Sequence, residues 1–232
     1  MPDPAYTLRI EREDGELVVM DGLDLVRGFI AGDPSAQPGG YDSLAGKGNP
    51  DRITIEDVIA VNTTMRARSV HASWQPVFDD DQTWLSDIPV KLDIIDADDQ
   101  MWEAARGAEL VSAATAFCIR PYIALARATK VLHLKRPHVF PVLDRLVVEV
   151  MGVNLPDSPK RDEKIAIAQR VTAAIRREGR ANIDPLQEIQ RQLPPEGPKL
   201  SLVRIFDICL WFSHPAAGVL GAAREIRVGP RS

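Results

Sequence analysis

The sequence predicts a mostly α-helical, compact globule with a small N-terminal β-hairpin, and three observations carry that class. Beyond residue 54, apolar residues recur at three- and four-residue steps in stretch after stretch, the period of amphipathic helices. Near the N-terminus one Asp14-Gly15 joins two short alternating runs, the strongest short hairpin signal. Hydrophobic residues make up 45% and charged residues 26% of the 232-residue chain, the balance of an ordinary globular protein. That length permits one domain or two small ones and buries enough surface to need no metal or disulfide staple.

The elements follow in order. Tyr6, Leu8 and Ile10 alternate with polar residues, then Asp14-Gly15 turns the chain into Leu17–Met20; a hairpin this small must lie against helices or pair with a third strand. A short helix is expected at Leu23–Ile30. Residues 31–50, rich in glycine and proline, are read as a loop, either mobile or a lid. Its Gly46-Lys47-Gly48 lacks the spacing of a phosphate-binding loop. Thr54-x-x-Asp57 opens a capped helix over 54–66. Residues 77–100 hold eight aspartates and one lysine, a local charge of −7, expected as solvated turns and helix caps.

One helix is expected over 98–118 and another from Tyr122 to Leu134. A further helix starts at Leu146 after Asp144 and stops at Gly152. Ile165, Ala168, Val171 and Ile175 mark an amphipathic surface helix. Leu200–Phe212 is apolar nearly all round, so it should be the central buried helix, packed by the helices at 54–66, 98–118 and 121–135. The domain reading is 1–50 for the hairpin, short helix and loop, 51–228 for the helical domain, and 229–232 for a disordered tail.

Several function classes are excluded. No apolar run reaches the ~18–20 residues a membrane span needs, and the acidic, Pro-rich start is unlike a signal peptide. Cys118 and Cys209 stand alone in apolar runs, as buried free thiols of a cytoplasmic protein do. There is no Gly-x-Ser-x-Gly, no His-Glu-x-x-His and no dinucleotide-binding glycine fingerprint. No cofactor is expected, and His133, His138 and Asp144 have no metal-ligand spacing.

The net charge of −5 speaks against a generally basic polyanion-coating protein, but it is unevenly spread. Cys118–Arg145 contains Arg120, Arg127, Lys130, Lys135, Arg136 and Arg145 against the single acid Asp144, a local +5 that leaves −10 elsewhere. Arg127, Lys130, Lys135, Arg136 and Arg145 are therefore candidates for binding nucleic acid or another anion. Lys135-Arg136-Pro137 also suits a helix C-terminus, where cations meet the negative end of the dipole. Asp144 fits either a helix N-cap or a catalytic acid, two compatible roles. His133 reads as a packing residue, and Asp207 as a buried carboxylate that needs a partner, either Arg204 in an ion pair or a buried backbone donor. The four tryptophans read chiefly as core anchors.

Lys130-x-Leu-x-x-Lys135-Arg136-Pro137 followed by Pro141-Val142-x-Asp144 resembles the hallmark of a bacterial family of uncharacterised proteins. Ser201-Leu-Val-Arg204-Ile-Phe-Asp207 and Trp211 resemble that family's C-terminal signature, and with Ile53–Asn62 and Trp102 the resemblance spans most of residues 41–213. It implies no activity. More distantly, a helix, a short connector, a Pro-Val-Asp-like turn and a new helix resemble the helix–hairpin–helix DNA glycosylases. That resemblance implies Asp144 as a catalytic carboxylate stabilising an oxocarbenium-like sugar, with basic residues holding phosphates. The chain departs from the pattern at Arg120–Arg127, which has no glycine and places Pro121 where an amide donor belongs; the iron–sulfur cysteines are also missing. Two other functions stand beside this one: a non-enzymatic module binding through its basic face, and an enzyme acting on a small anionic substrate.

Overall fold

The computed structural model describes residues 3–65 and 67–217. Strands β1 (Thr7–Glu11) and β2 (Leu17–Asp21) pair antiparallel from Thr7↔Asp21 to Glu11↔Leu17. Gly15, at φ +83°, makes the turn that a side chain would strain. Leu8, Ile10 and Met20 face inward. The free edge is satisfied by helical side chains rather than by a third strand. Asn182 accepts from the Arg9 N–H and donates to the Arg9 carbonyl, both at 2.8 Å, and Glu178 accepts from the Glu11 N–H.

Twelve helices follow among the described residues: α1 (Gly22–Gly32), α2 (Tyr41–Leu44), α3 (Ile55–Thr64), α4 (Gln75–Phe78), α5 (Thr83–Ser86), α6 (Asp99–Ala104), α7 (Gly107–Cys118), α8 (Leu125–Lys135), α9 (Arg145–Val150), α10 (Arg161–Ala181), α11 (Ile183–Arg191) and α12 (Leu202–Ser213). The mostly helical class with one small hairpin holds. α12 is the centre, with every residue from Leu202 to Leu210 buried and Ser201 capping its start through the Arg204 N–H. No described helix is long and apolar enough to cross a membrane.

Four expectations are corrected. First, α12 is packed chiefly by α1, α9 and α11, while α3, α7 and α8 form a layer of their own that α10 backs. Second, the helix expected over 98–118 is two helices. Arg106 adopts φ +51°, and Gly107 lies so close under Trp102 that a Cβ would stand 2.5 Å from the indole; the tryptophan takes the space a continuous helix would need. Third, residues 31–50 are not a free loop. They contain α2, whose Tyr41 and Asp42 are buried. Fourth, α8 begins at Leu125, because Arg120–Ile123 is a tight turn. The helix α11 had no assignment from the sequence. The aspartates of 77–100 do act as caps and turn formers: Asp98 caps α6, and Asp93 accepts from the Ile95 and Asp96 amides. The expected tail at 229–232 lies outside the described residues.

Hairpin, α2 and α12 contribute to one buried cluster, with Leu8, Tyr41 and Phe206 all fully enclosed.

Candidate active site around Asp144

α8 is amphipathic, burying Leu125, Ala128, Val131 and Leu132, and Pro137 stops it after Lys135. The chain then doubles back along α8 as an irregular segment with Val139, Phe140, Val142 and Leu143 buried. Buried backbone needs partners, and three are supplied by side chains. His133 Nδ1 donates to the Phe140 carbonyl at 2.6 Å, Leu143 N–H donates to Thr129 Oγ1 at 3.1 Å, and Val142 N–H donates to Asp207 Oδ2 at 3.0 Å. Asp144 ends the segment as the N-cap of α9, its Oδ1 accepting from Val147 N–H at 3.1 Å.

Behind this turn lies an ion cluster. Arg204 donates through Nε to Asp42 at 2.6 Å and through Nη1 to Asp207 at 2.8 Å. Its guanidinium also lies over the rings of Phe29 and Tyr41, 5.2 and 5.5 Å from their centroids. Tyr41 donates its hydroxyl to the Lys130 carbonyl at 2.7 Å. The hydrogen bonds therefore close a ring: α8 to the 142–143 turn, to α12, to α2 and back to α8. Every link but the Asp207–Arg204 step joins residues distant in sequence, so the ring fixes where α9 begins and hence where the Asp144 carboxylate stands.

Electrostatics within the ring follow from burial. Burial raises Asp207 to about 7 against the opposing pull of Arg204 and the Val142 amide. It would lower Arg204, but Asp42 and Asp207 outweigh it and keep the guanidinium protonated. Burial pushes His133 down to about 3, so the ring is neutral. With Nδ1–H on the Phe140 carbonyl, His133 Nε2 is left as a buried acceptor without a donor.

Asp144 and Lys130 are both half-buried. Burial raises the Asp144 carboxyl, with the Val147 amide and Lys130 opposing; burial lowers the Lys130 ammonium, with Asp144 opposing. The two values move towards each other, as they do where a carboxylate and an amine share a partly dry site. Among the described residues, the Lys130 side chain forms no salt bridge.

The other cations separate sharply. Arg127 is half-buried and donates to the Ala67 and Tyr122 carbonyls at 2.9 and 3.0 Å. Arg145 is exposed and paired with Asp157 at 2.7 Å and Glu149 at 3.1 Å. Lys135 and Arg136 do not sit at the surface as expected of a basic face. Lys135 Nζ lies 2.5 Å from the Asp57 carboxylate and 3.0 Å from the Asn49 carbonyl. Arg136 donates to the carbonyls of Pro50, Leu85, Ile88 and Lys135 and to Asp51. Both side chains are 1% exposed, because the last turn of α8 is covered by residues 49–51 and 85–88.

A groove of about 430 Å³ reaches the Lys130–Arg145 segment only at His138, where Lys91, Asp93, Gln187, Gln190 and Arg191 also line it, and it does not include Asp144. Among the described residues no group of three His, Cys, Asp or Glu side chains could hold a metal. Burial pushes the Cys118 and Cys209 thiols up, leaving both unreactive. Sequence reasoning missed Tyr41 and Asp42, since a glycine- and proline-rich flank masked them. It found the Arg204–Asp207 pair but not its connection to the Asp144 turn.

Comparison with curated proteins and with solved structures finds no match to this chain. The model described as "Family of unknown function (DUF6308)" matches residues 23–214, which include every member of the ring and Asp144. The chain belongs to this family.

Proposed function

We propose that the protein is a nucleic-acid-associated N-glycosidic hydrolase with Asp144 as its catalytic carboxylate. The observation that carries this is Asp144 itself: a half-buried carboxylate held at the start of α9 and subject to the charge of Lys130, which forms no salt bridge among the described residues. When the bond between sugar and base breaks, its electron pair leaves with the base and positive charge develops on the sugar. An ionised Asp144 would stabilise that charge and accept a proton from the water attacking the anomeric carbon. Lys130 and Arg127 would hold a neighbouring phosphate. The resemblance of the Pro141-Val142-x-Asp144 turn to helix–hairpin–helix glycosylases supports the same role.

The test is base release from duplexes carrying damaged or mismatched bases. Asp144→Asn should lower the rate by about 10²–10⁴ while keeping the helix cap, because asparagine caps as well as aspartate. Unchanged release in the variant, or none by the wild type on any such duplex, would refute the assignment.

A specific observation favours a second function, an enzyme of small anions. With Lys135 and Arg136 turned inward, only Arg127 and Lys130 remain on the α8 face leading to Asp144, enough for one phosphate rather than a strand. Cleavage of nucleoside monophosphates with no action on oligonucleotides would select it.

A further inference from the structure

The turn that brings the chain from α7 into α8 carries an anomaly. Ile123 N–H donates to the Arg120 carbonyl at 3.0 Å, with Pro121 and Tyr122 between them. Tyr122 has φ +69°, so it occupies the position that a turn with proline before it normally gives to glycine. A side chain with a Cβ is strained there. Tyr122 is nonetheless 83% exposed; among the described residues it is the most exposed large hydrophobic side chain, and its hydroxyl makes no hydrogen bond there. Packing therefore does not compensate the strain. Arg106, another non-glycine residue with positive φ, differs in that it is ion-paired with Glu109.

The strained backbone is pinned from outside. Arg127 donates to the Tyr122 carbonyl and, through Nε, to the Ala67 carbonyl, so the aromatic ring projects from a fixed turn. The surroundings are cationic. Arg161 is anchored on the Ile119 and Ala116 carbonyls at 3.0 and 2.8 Å, and its nearest carboxylate contact, with Asp162, is 3.8 Å. Arg120 lies over the Phe117 ring, with Asp80 3.6 Å away. A carbonyl acceptor does not offset an arginine's charge, whereas Asp80 and Asp162 offset those of Arg120 and Arg161 in part. The first turn of α8 adds its own positive end, since Ala124 at the N-cap has no side-chain acceptor.

We infer that Tyr122 is a stacking platform for an unpaired base of single-stranded nucleic acid, with Arg127 and Arg161 meeting the flanking phosphates. An exposed aromatic on a rigid, cationic mount suits that ligand, because every base offers a π-face and every linkage a charge. The inference shares its ligand class and Arg127 with the proposed hydrolase but does not depend on Asp144 or Lys130.

The experiment compares two labelled strands of equal length and charge, oligothymidine and a strand of abasic linkers, by fluorescence anisotropy at low salt. The wild type should prefer oligothymidine by roughly 5- to 100-fold. Tyr122→Ala should abolish the preference and Tyr122→Trp should keep it. Tyr122→Gly should also abolish it while raising the unfolding temperature, because glycine relieves the turn. A preference that survives Tyr122→Ala, equal binding of both strands, or no binding by the wild type would each overturn the inference. A fall in unfolding temperature in Tyr122→Gly would do so as well, by showing that the ring packs. Tyr122-dependent self-association without oligonucleotide binding would assign the ring to a protein contact instead. Base release by a wild type that shows no Tyr122-dependent preference would leave the hydrolase standing alone. Tyr122-dependent binding without base release would leave this inference standing alone.

Discussion

The two ends of α8 carry the same kinds of residue in opposite circumstances. Arg127 and Lys130, in its first half, are half-buried and meet no carboxylate in a salt bridge among the described residues. Lys135 and Arg136, at its C-terminus, are almost wholly enclosed, with carboxylates and five different carbonyls around them. A cation recognises something outside the protein only where its own chain leaves donors unengaged. At the C-terminal end the chain has engaged nearly all of them, so these residues clamp residues 49–51 and 85–88 to the helix.

The sharpest way to break this comparison is at Arg136. Arg136→Met preserves a long stem but takes the side-chain donor from four carbonyls, among them the Ile88 and Lys135 carbonyls in the interior, and each buried group left unsatisfied costs about 1–3 kcal/mol. A loss of about 3–5 kcal/mol in urea unfolding is expected. A loss below about 1 kcal/mol would mean that the end of α8 is solvated like its beginning.

His133 stands between the two halves and tests the dryness of the boundary. Its folded value of about 3 lies below the 6.5 of the unfolded chain. The unfolded state therefore binds the extra proton between those values, and stability present above pH 6.5 is lost as pH falls towards 3. From pH 6.5 to 4.5 the loss is about 2–3 kcal/mol. His133→Gln cannot titrate, so the stability difference between wild type and variant should shift by that amount in favour of the variant on acidification. Asp144 and Asp207, raised by burial, act in the opposite sense but are present in both proteins. A difference independent of pH would place water at His133.

Smaller effects are expected in the first half of the helix. Asp144→Ala removes the α9 cap and should cost about 1 kcal/mol, with Asp144→Asn costing a few tenths. Lys130→Met should change stability by less than about 1 kcal/mol, since no salt bridge is lost, while base release falls. A larger destabilisation would make Lys130 a clamp like its neighbours further along.

What the sequence displayed is what local chemistry determines. Asp14-Gly15, the Asp144 cap and the Arg204–Asp207 pair are all set within three or four residues, and each stands where local pattern places it. The misses depend on distant contacts. Arg136 faces carbonyls 48 and 51 positions away, so nothing near it in the sequence separates it from a surface arginine. Tyr41 and Asp42 look like loop residues because their partners lie in α8 and α12. The break at Arg106 reflects the bulk of Trp102 over Gly107, a packing fact invisible to helical periodicity. Tyr122 was hidden for the opposite reason: without a glycine to mark a turn it reads as the first residue of a helix, yet a tight turn forms there.

The closed ring behind Asp144 has a consequence for how the protein is made. Asp42 and Arg204 are 162 positions apart, so during synthesis the N-terminal half waits with an unpaired acid until α12 has left the ribosome. The helices of the 55–135 region have their mutual packing partners well before α12 emerges, but the Val142 amide has no acceptor before Asp207 arrives. Long-range closures of this kind slow folding and come last. The geometry around Asp144 is thus a property of the finished chain alone, and a nascent or C-terminally truncated protein would hold the carboxylate without its mount.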